Sequence, residues 1–180
     1  IVSDISGLTR FLADNELEHA NGIIKDLQDS IIPEFKKSVQ ISKFMGDAIF
    51  AFTENNSYEE SQFMVDFANK IYTAFKDKKE LIKINTDCKC NACKNMSELD
   101  LKIFLHYGEY AIQNLNGNDE LVGSDINTIF RLMKNNVVEK TGIRAYLLIS
   151  EKALNATNLN YDISSNLFSF VVIVSILASF

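Results

Sequence analysis

Proline is almost missing from this chain of 180 residues. Pro33 is the only one, so a ring-imposed break in regular structure is confined to one place. Basic residues run out early, with no lysine or arginine after Lys152. The net charge of −6 excludes a global electrostatic pull toward nucleic acid. A chain with this balance that handles a polyphosphate must do so with local groups and metal ions. Internal repeats and low-complexity tracts are absent. No secretory signal is visible, which removes the reason to expect disulfides and gives a cytoplasmic location as the expectation. The first residue is not methionine, and "IVSDIS" reads as the inside of a strand, as expected of a fragment whose strand start is missing. The apolar stretch "LFSFVVIVSILASF", Leu167 to Phe180, is too short for a full membrane span. It reads as a buried strand or as a tail that has lost its continuation. A truncated membrane helix is the sharper alternative, so membrane attachment stays open.

What is present is ample for a core. Hydrophobic residues make up 47% and charged residues 23%, the balance of a globular domain rather than a disordered chain. Residues 1–5 read as an apolar strand. "SGLT" then opens a helix whose apolar positions, Leu8, Phe11, Leu12, Ala20, Ile23, Ile24, Leu27 and Ile31, share one face, and Pro33 closes or kinks it. "KFMGDAIFAF" reads as a hairpin, with strands Val39–Phe44 and Ala48–Phe52 around Gly46-Asp47. Asn55-Asn56-Ser57 is a loop and helix start. A second amphipathic helix buries Phe63, Met64, Phe67, Ala68, Ile71, Ala74 and Phe75, and the charges from Lys76 to Lys83 are its solvated end. "CKCNACKN" is a loop. Leu99–His106 and Tyr110–Leu115 are strands, and "NGND" is a turn. "SDINTIFRLMKNN" is a helix capped by Ser124 or Asp125. Arg144–Ile149 is a strand, and "SEKAL" begins a last helix. The pattern predicts an α+β, ferredoxin-like (βαββαβ) fold, an antiparallel sheet with helices packed on one face.

In such a sheet the first strand and the hairpin are neighbours. Asp4 at the end of one and Asp47 at the tip of the other would then meet at one sheet end. Paired hard oxygen ligands suit Mg²⁺ or Mn²⁺, which bind substrate phosphates. Directly after Asp4, "ISGLT" is a glycine-containing turn into a helix N-terminus, where free backbone N–H groups favour phosphate. Alone, each piece is also compatible with a purely structural turn.

Four blocks carry a resemblance. "DISGLTRFL", "KFMGDAIFAF", "LKIFLHYGEY" and "VGSDINTIFRLM" resemble, in order, segments of the class III adenylate/guanylate cyclase catalytic domain, and they span residues 1–134. The wording is closer still to a cyclase-related, mostly bacterial family of unknown function that carries a Cys-x-Cys-x-x-Cys segment. The resemblance implies a nucleotide cyclase fold over residues 1–160, followed by an apolar tail at 161–180. It implies that Asp4, Asp47 and the Ile5 carbonyl hold Mg²⁺ or Mn²⁺. Ser6, Gly7, Leu8 and Thr9 would cradle the triphosphate, Lys43 and Glu120 would read the purine, and Asn127 and Arg131 would orient the ribose and stabilise the transition state. The implied reaction converts ATP (or, with other purine contacts, GTP) to the cyclic nucleotide and pyrophosphate in a head-to-tail homodimer. The chain departs from the pattern in a shorter stretch between His106 and Asn127, the dimer arm of that family. It also lacks a late phosphate-binding lysine.

Cys88, Cys90 and Cys93 form a second candidate site. Three thiolates within six residues suit a soft metal, but tetrahedral Zn²⁺ takes four ligands, and both histidines, His19 and His106, are distant in sequence. His106, on an apolar strand, reads as a satisfied structural histidine. Beside a cyclase, two alternatives therefore stand: a catalytically inactive nucleotide-binding regulatory module of the same fold, or a cysteine-loop metal or redox sensor.

Overall fold

The computed structural model describes residues 1–54, 59–157 and 171–175. Strand β1 (Val2–Ser6) leads into helices α1 (Leu8–Asp14) and α2 (Leu17–Ser38). The hairpin β2 (Gln40–Met45) and β3 (Ala48–Phe52) follows, then α3 (Glu59–Asn85), α4 (Asn91–Asn95) and a 3-10 turn, Met96–Glu98. Next come β4 (Asp100–Leu105), a ribbon of β5 (Ala111–Leu115) and β6 (Asn118–Val122), α5 (Ser124–Met133), α6 (Val137–Thr141), β7 (Tyr146–Ser150), α7 (Glu151–Thr157) and β8 (Val171–Ser175).

The main sheet has the order β2-β3-β1-β4-β7-β8. Its β2-β3-β1-β4 part is antiparallel throughout, which is the expected ferredoxin-like unit. Beyond β4 the sheet continues in parallel, β7 on β4 and β8 on β7. A parallel step needs a crossover, and α5 and α6 lie between β4 and β7 in the chain. The period of two sends alternate residues of each strand to opposite faces. Ile5, Ile103 and Leu147 pack against Leu27, Ile31, Phe35, Phe67, Ile71 and Phe75 of α2 and α3. Val2, Phe104 and Tyr146 pack against Ile129 and Leu132 of α5. The long helices thus occupy one face as expected, while the crossover helix covers part of the other. Phe35 meets Phe67 edge to face at 5.2 Å, a favourable aromatic geometry.

Five local expectations are corrected. Pro33 does not close its helix, since α2 runs on to Ser38. An interior proline costs about 3 kcal/mol, but Ile31 and Phe35 on either side are both buried, and each such burial contributes about 1.5–3 kcal/mol. The helix opened by "SGLT" instead breaks at Asn15. The Asn15 side-chain amide donates to the Phe11 carbonyl at 2.6 Å, competing with the backbone for that acceptor. The cysteine loop contains a helix, α4. The polar run "NDELV" is a strand, β6, which pairs with β5 through an Asn116-Gly117 turn, a favoured hairpin dipeptide. The N-cap of α5 is Gly123 and not Ser124 or Asp125, because the Asp125 carboxylate is engaged elsewhere. The apolar tail supplies β8, Val171–Ser175. Its other residues and Asn55-Asn56-Ser57 lie outside the described residues. Among the described residues, no helix is long and apolar enough to cross a membrane.

Candidate functional site

The β2–β3 turn is the dipeptide Gly46-Asp47. Gly46 takes the left-handed position at φ 65°, which glycine adopts without steric cost, and this leaves the acidic residue second. The Gln28 side chain on α2 donates to the Gly46 carbonyl at 3.3 Å. Asp47 folds back over β1, where its Oδ2 accepts the Ile5 N–H at 2.9 Å. Burial, then the nearby Asp4 charge, push the Asp47 carboxyl up to about 6, against the favourable Ile5 N–H. The two aspartates therefore sit close enough to feel each other strongly.

Asp4 has its own partner. Lys102, directly opposite it in the β1–β4 register, places Nζ 2.6 Å from Asp4 Oδ2, and both side chains are only 18% exposed. Lys102 thus neutralises Asp4, while no ion pair reaches Asp47 among the described residues. The remaining negative charge has no cationic partner among the described residues, and the donors are hard oxygens. That donor set fits a divalent Mg²⁺ or Mn²⁺ ion.

Ser6 to Thr9 form the turn from β1 into α1. Ser6 is buried, while Gly7 and Thr9 are exposed and Leu8 is half-buried. Gly7 has φ 84°, and a Cβ there would lie 2.9 Å from the Glu98 carbonyl oxygen. Lys43 on β2 and Glu120 on β6 are brought together as an ion pair, each about one-third exposed. Asn127 and Arg131 stand one helical turn apart on α5, and both are exposed. No hydrogen bond or ion pair joins them to Asp4 or Asp47 among the described residues.

The three cysteines are free thiols. His19, on the first turn of α2, reaches them. Its Nδ1 lies 3.1 Å from Cys90 Sγ and 3.6 Å from Cys88 Sγ. All four ligand atoms of His19, Cys88, Cys90 and Cys93 lie within 4.8 Å of one another. The His19 hydrogen bond, helped by the Cys93 N–H, pulls the Cys90 thiol down to about 6. Burial, then the neighbouring Cys90, push Cys93 up to about 11.

Residues 24–141 match the family described as "Protein of unknown function (DUF2652)". The chain belongs to this family. It is also 31% identical over 111 residues to the "Uncharacterized protein Rv2561/Rv2562" of Mycobacterium tuberculosis (strain ATCC 25618 / H37Rv), a match covering 62% of this chain and 51% of that protein. The chain thus spans about half the length of the curated relative it matches. Among solved structures, the guanylyl cyclase Cya2 superposes with a TM-score of 0.61 at 14% identity, covering 91% of this chain and 79% of that one. The adenylyl cyclase CyaB from P. aeruginosa gives 0.60 at 16% identity, covering 87% and 78%. A bacterial light-regulated adenylyl cyclase gives 0.57 at 14%, covering 86% and 43%. This member of the DUF2652 family therefore has the fold of class III nucleotide cyclase domains.

Two features of the DUF2652 chain were not found from its sequence, and both are partners. Lys102 carried one signal, a lysine within a strand of otherwise buried apolar residues, "LKIFL". His19 carried none, because its cysteine partners lie about 70 residues away. His106 is a bonded structural histidine, as expected. It contacts Ser150 Oγ at 2.7 Å and Asp125 Oδ1 at 3.2 Å, and burial lowers its pKa. For Asp125, burial opposes ionisation, but Lys152, the Glu109 N–H and His106 outweigh it and bring the carboxyl down to about 2. This network edges a cavity of about 640 Å³ lined in part by Phe52, Tyr110 and Ile129. The cavity opens at the ends of β3 and β4 remote from Asp47.

Proposed function

We propose that this chain is a nucleotidyl cyclase domain that converts ATP to cyclic AMP and pyrophosphate, working as a head-to-tail homodimer. The observation that carries the proposal is the convergence of Asp4 and Asp47, with a charge surplus that a divalent cation would neutralise. Asp4, Asp47 and the Ile5 carbonyl would hold Mg²⁺ or Mn²⁺. When bound, the metal supplies Lewis-acid stabilisation of phosphate charge and acidification of the ribose 3′ hydroxyl. The bond formed joins that hydroxyl oxygen to the α-phosphate, and the bond broken releases pyrophosphate.

The chain's own groups take the other roles. The turn Ser6–Thr9 presents backbone N–H groups to the triphosphate. Lys102 holds Asp4 before substrate arrives and then stands beside the phosphates as a counter-charge. Lys43 and Glu120 pair with each other and so are held together for adenine, the lysine donating to a ring nitrogen and the carboxylate accepting from the exocyclic amine. Asn127 orients the ribose, and Arg131 stabilises the developing charge. Their exposure, without contact to the aspartates of the same chain, supports a site completed by a second copy. Exposed Ile112 and Leu115 on the β5–β6 ribbon and Phe44 on β2 give that copy apolar surface to cover.

A second reading is an inactive module that binds the nucleotide without turning it over. It is favoured by the Lys102–Asp4 ion pair, which occupies one of the two carboxylates. The test is cyclic AMP formation by the purified full chain with ATP and Mn²⁺, alongside calorimetric binding of ATP. Turnover that falls to background in Asp47→Ala, with the fold retained, is the expected result. ATP binding without product would establish the inactive module, and neither binding nor product would remove both readings.

A further inference from the structure

The cysteine cluster uses none of the residues assigned to nucleotide chemistry, so it can be judged independently of the cyclase reading. Around a tetrahedral Zn²⁺ with Zn–S about 2.3 Å and Zn–N about 2.0 Å, neighbouring ligand atoms stand about 3.5–3.8 Å apart. His19 Nδ1 is already 3.1 and 3.6 Å from two of the sulfurs, and no pair in the cluster exceeds 4.8 Å. Closing the set around an ion therefore needs shifts of about 1 Å or less, within the reach of side-chain torsions. Three thiols and an imidazole select a soft or borderline ion over Mg²⁺ or Ca²⁺. Four protein ligands leave no coordination position for water or substrate, the mark of a structural rather than a catalytic zinc.

We propose that His19, Cys88, Cys90 and Cys93 form a structural Zn²⁺ site that clips the first turn of α2 to the α3–α4 segment. The same two segments are clasped nearby by protein contacts. Glu16 accepts the N–H groups of Asn91 at 3.3 Å and Ala92 at 3.1 Å, and Asn95 donates to Asn15 at 2.9 Å. These contacts bring His19 to the cysteines without the metal and make the site a built one. The clip also reaches beyond itself. Three residues after α4, the Glu98 carbonyl backs the turn at Gly7, so fixing α4 fixes the wall behind Ser6–Thr9. His19 is exposed and contributes little to the core. Its place opposite three thiols is what a ligand role explains.

The experiment uses the full chain, purified without a histidine tag under reducing conditions. Elemental analysis should find about one zinc per chain. Co²⁺ exchanged into the site should give the intense visible bands of tetrahedral coordination with thiolate charge transfer. His19→Ala should weaken Zn²⁺ binding by more than about 100-fold in competition with a chromogenic chelator, beyond the 10–100-fold typical of an outer-shell change. His19→Cys should restore the metal with a four-thiolate cobalt spectrum, which a merely structural histidine would not do. If Cys90→Ser fails to fold, the exposed His19 variants still decide. A zinc-free chain that also gives no tetrahedral cobalt spectrum overturns the proposal. So does unchanged affinity in His19→Ala, or a disulfide among the three cysteines under reducing conditions.

Discussion

At Asp47 burial, then the charge of Asp4 and a hydrogen bond with its carboxyl, act against ionisation, while the backbone N–H groups of Ile5 and of Asp47 itself favour it; together they raise the carboxyl from 3.8 to about 6. A carboxyl raised in the folded state holds more protons there than in the unfolded chain over that interval. Stability therefore falls as pH rises between the two values and stays reduced above them. A shift of this size corresponds to at most about 3 kcal/mol, and to less here because solvent screens a carboxyl that is only half-buried. Asn at this position keeps an oxygen for the Ile5 N–H and removes the charge. In chelator near pH 7, Asp47→Asn should stabilise the protein by about 1–2 kcal/mol in urea unfolding, with the gain fading toward about pH 4. The same variant should lose turnover and any stabilisation by Mn²⁺, since only a state with a cation site is favoured by the ion. A gain that does not depend on pH would show that the charge is not its origin. The residue that a metal needs is thus one the metal-free fold would be better without.

Among the elements, the junction of β1 with α1 is constrained at one residue. Gly7 combines a left-handed backbone with a carbonyl 2.9 Å from where its Cβ would be. Gly7→Ala should cost at least about 1–2 kcal/mol from the backbone conformation alone, with more from the Glu98 contact, which is backbone and cannot rotate away. Chemical denaturation measures it, and a change under about 0.5 kcal/mol, the level of an ordinary surface substitution, would refute the geometry. The sequence already showed the helices that carry a continuous apolar stripe, α2 and α3, and the hairpin whose turn holds the acidic residue. It also placed Asp4 and Asp47 at one sheet end, because two strands and a topology suffice for that. The break between α1 and α2 was not legible, because Glu16 and Asn15 find partners at Asn91, Ala92 and Asn95 only once the chain has folded. For the same reason His19 and Lys102 read as ordinary surface and strand residues. Strand β6 was missed because its pairing with β5 rests on a turn and a ladder rather than on apolar alternation. Pro33 does not end its helix, since the burial of Ile31 and Phe35 on either side offsets the lost hydrogen bond.

At the scale of the whole molecule, the proposed site is split. The carboxylates lie at the β1 end and the β2–β3 turn, while Asn127 and Arg131 point from the exposed face of α5. If two copies pair head to tail, each of the two sites takes its aspartates from one copy and its α5 residues from the other. Asp47→Ala and Arg131→Ala would each inactivate a homodimer, the second by about 10²–10³-fold if Arg131 acts as a transition-state donor. Mixed in equal amounts and allowed to exchange, they form heterodimers in which one site carries both substitutions and the other carries neither. Random pairing would make half the dimers mixed and half of their sites intact, so about a quarter of wild-type activity should return. Recovery of cyclic AMP formation on mixing is the expected outcome, with its dependence on protein concentration reporting the exchange. If Asp4, Asp47, Asn127 and Arg131 all served one site within a single chain, no mixture of the two variants would recover any activity, and the split arrangement would have to be abandoned.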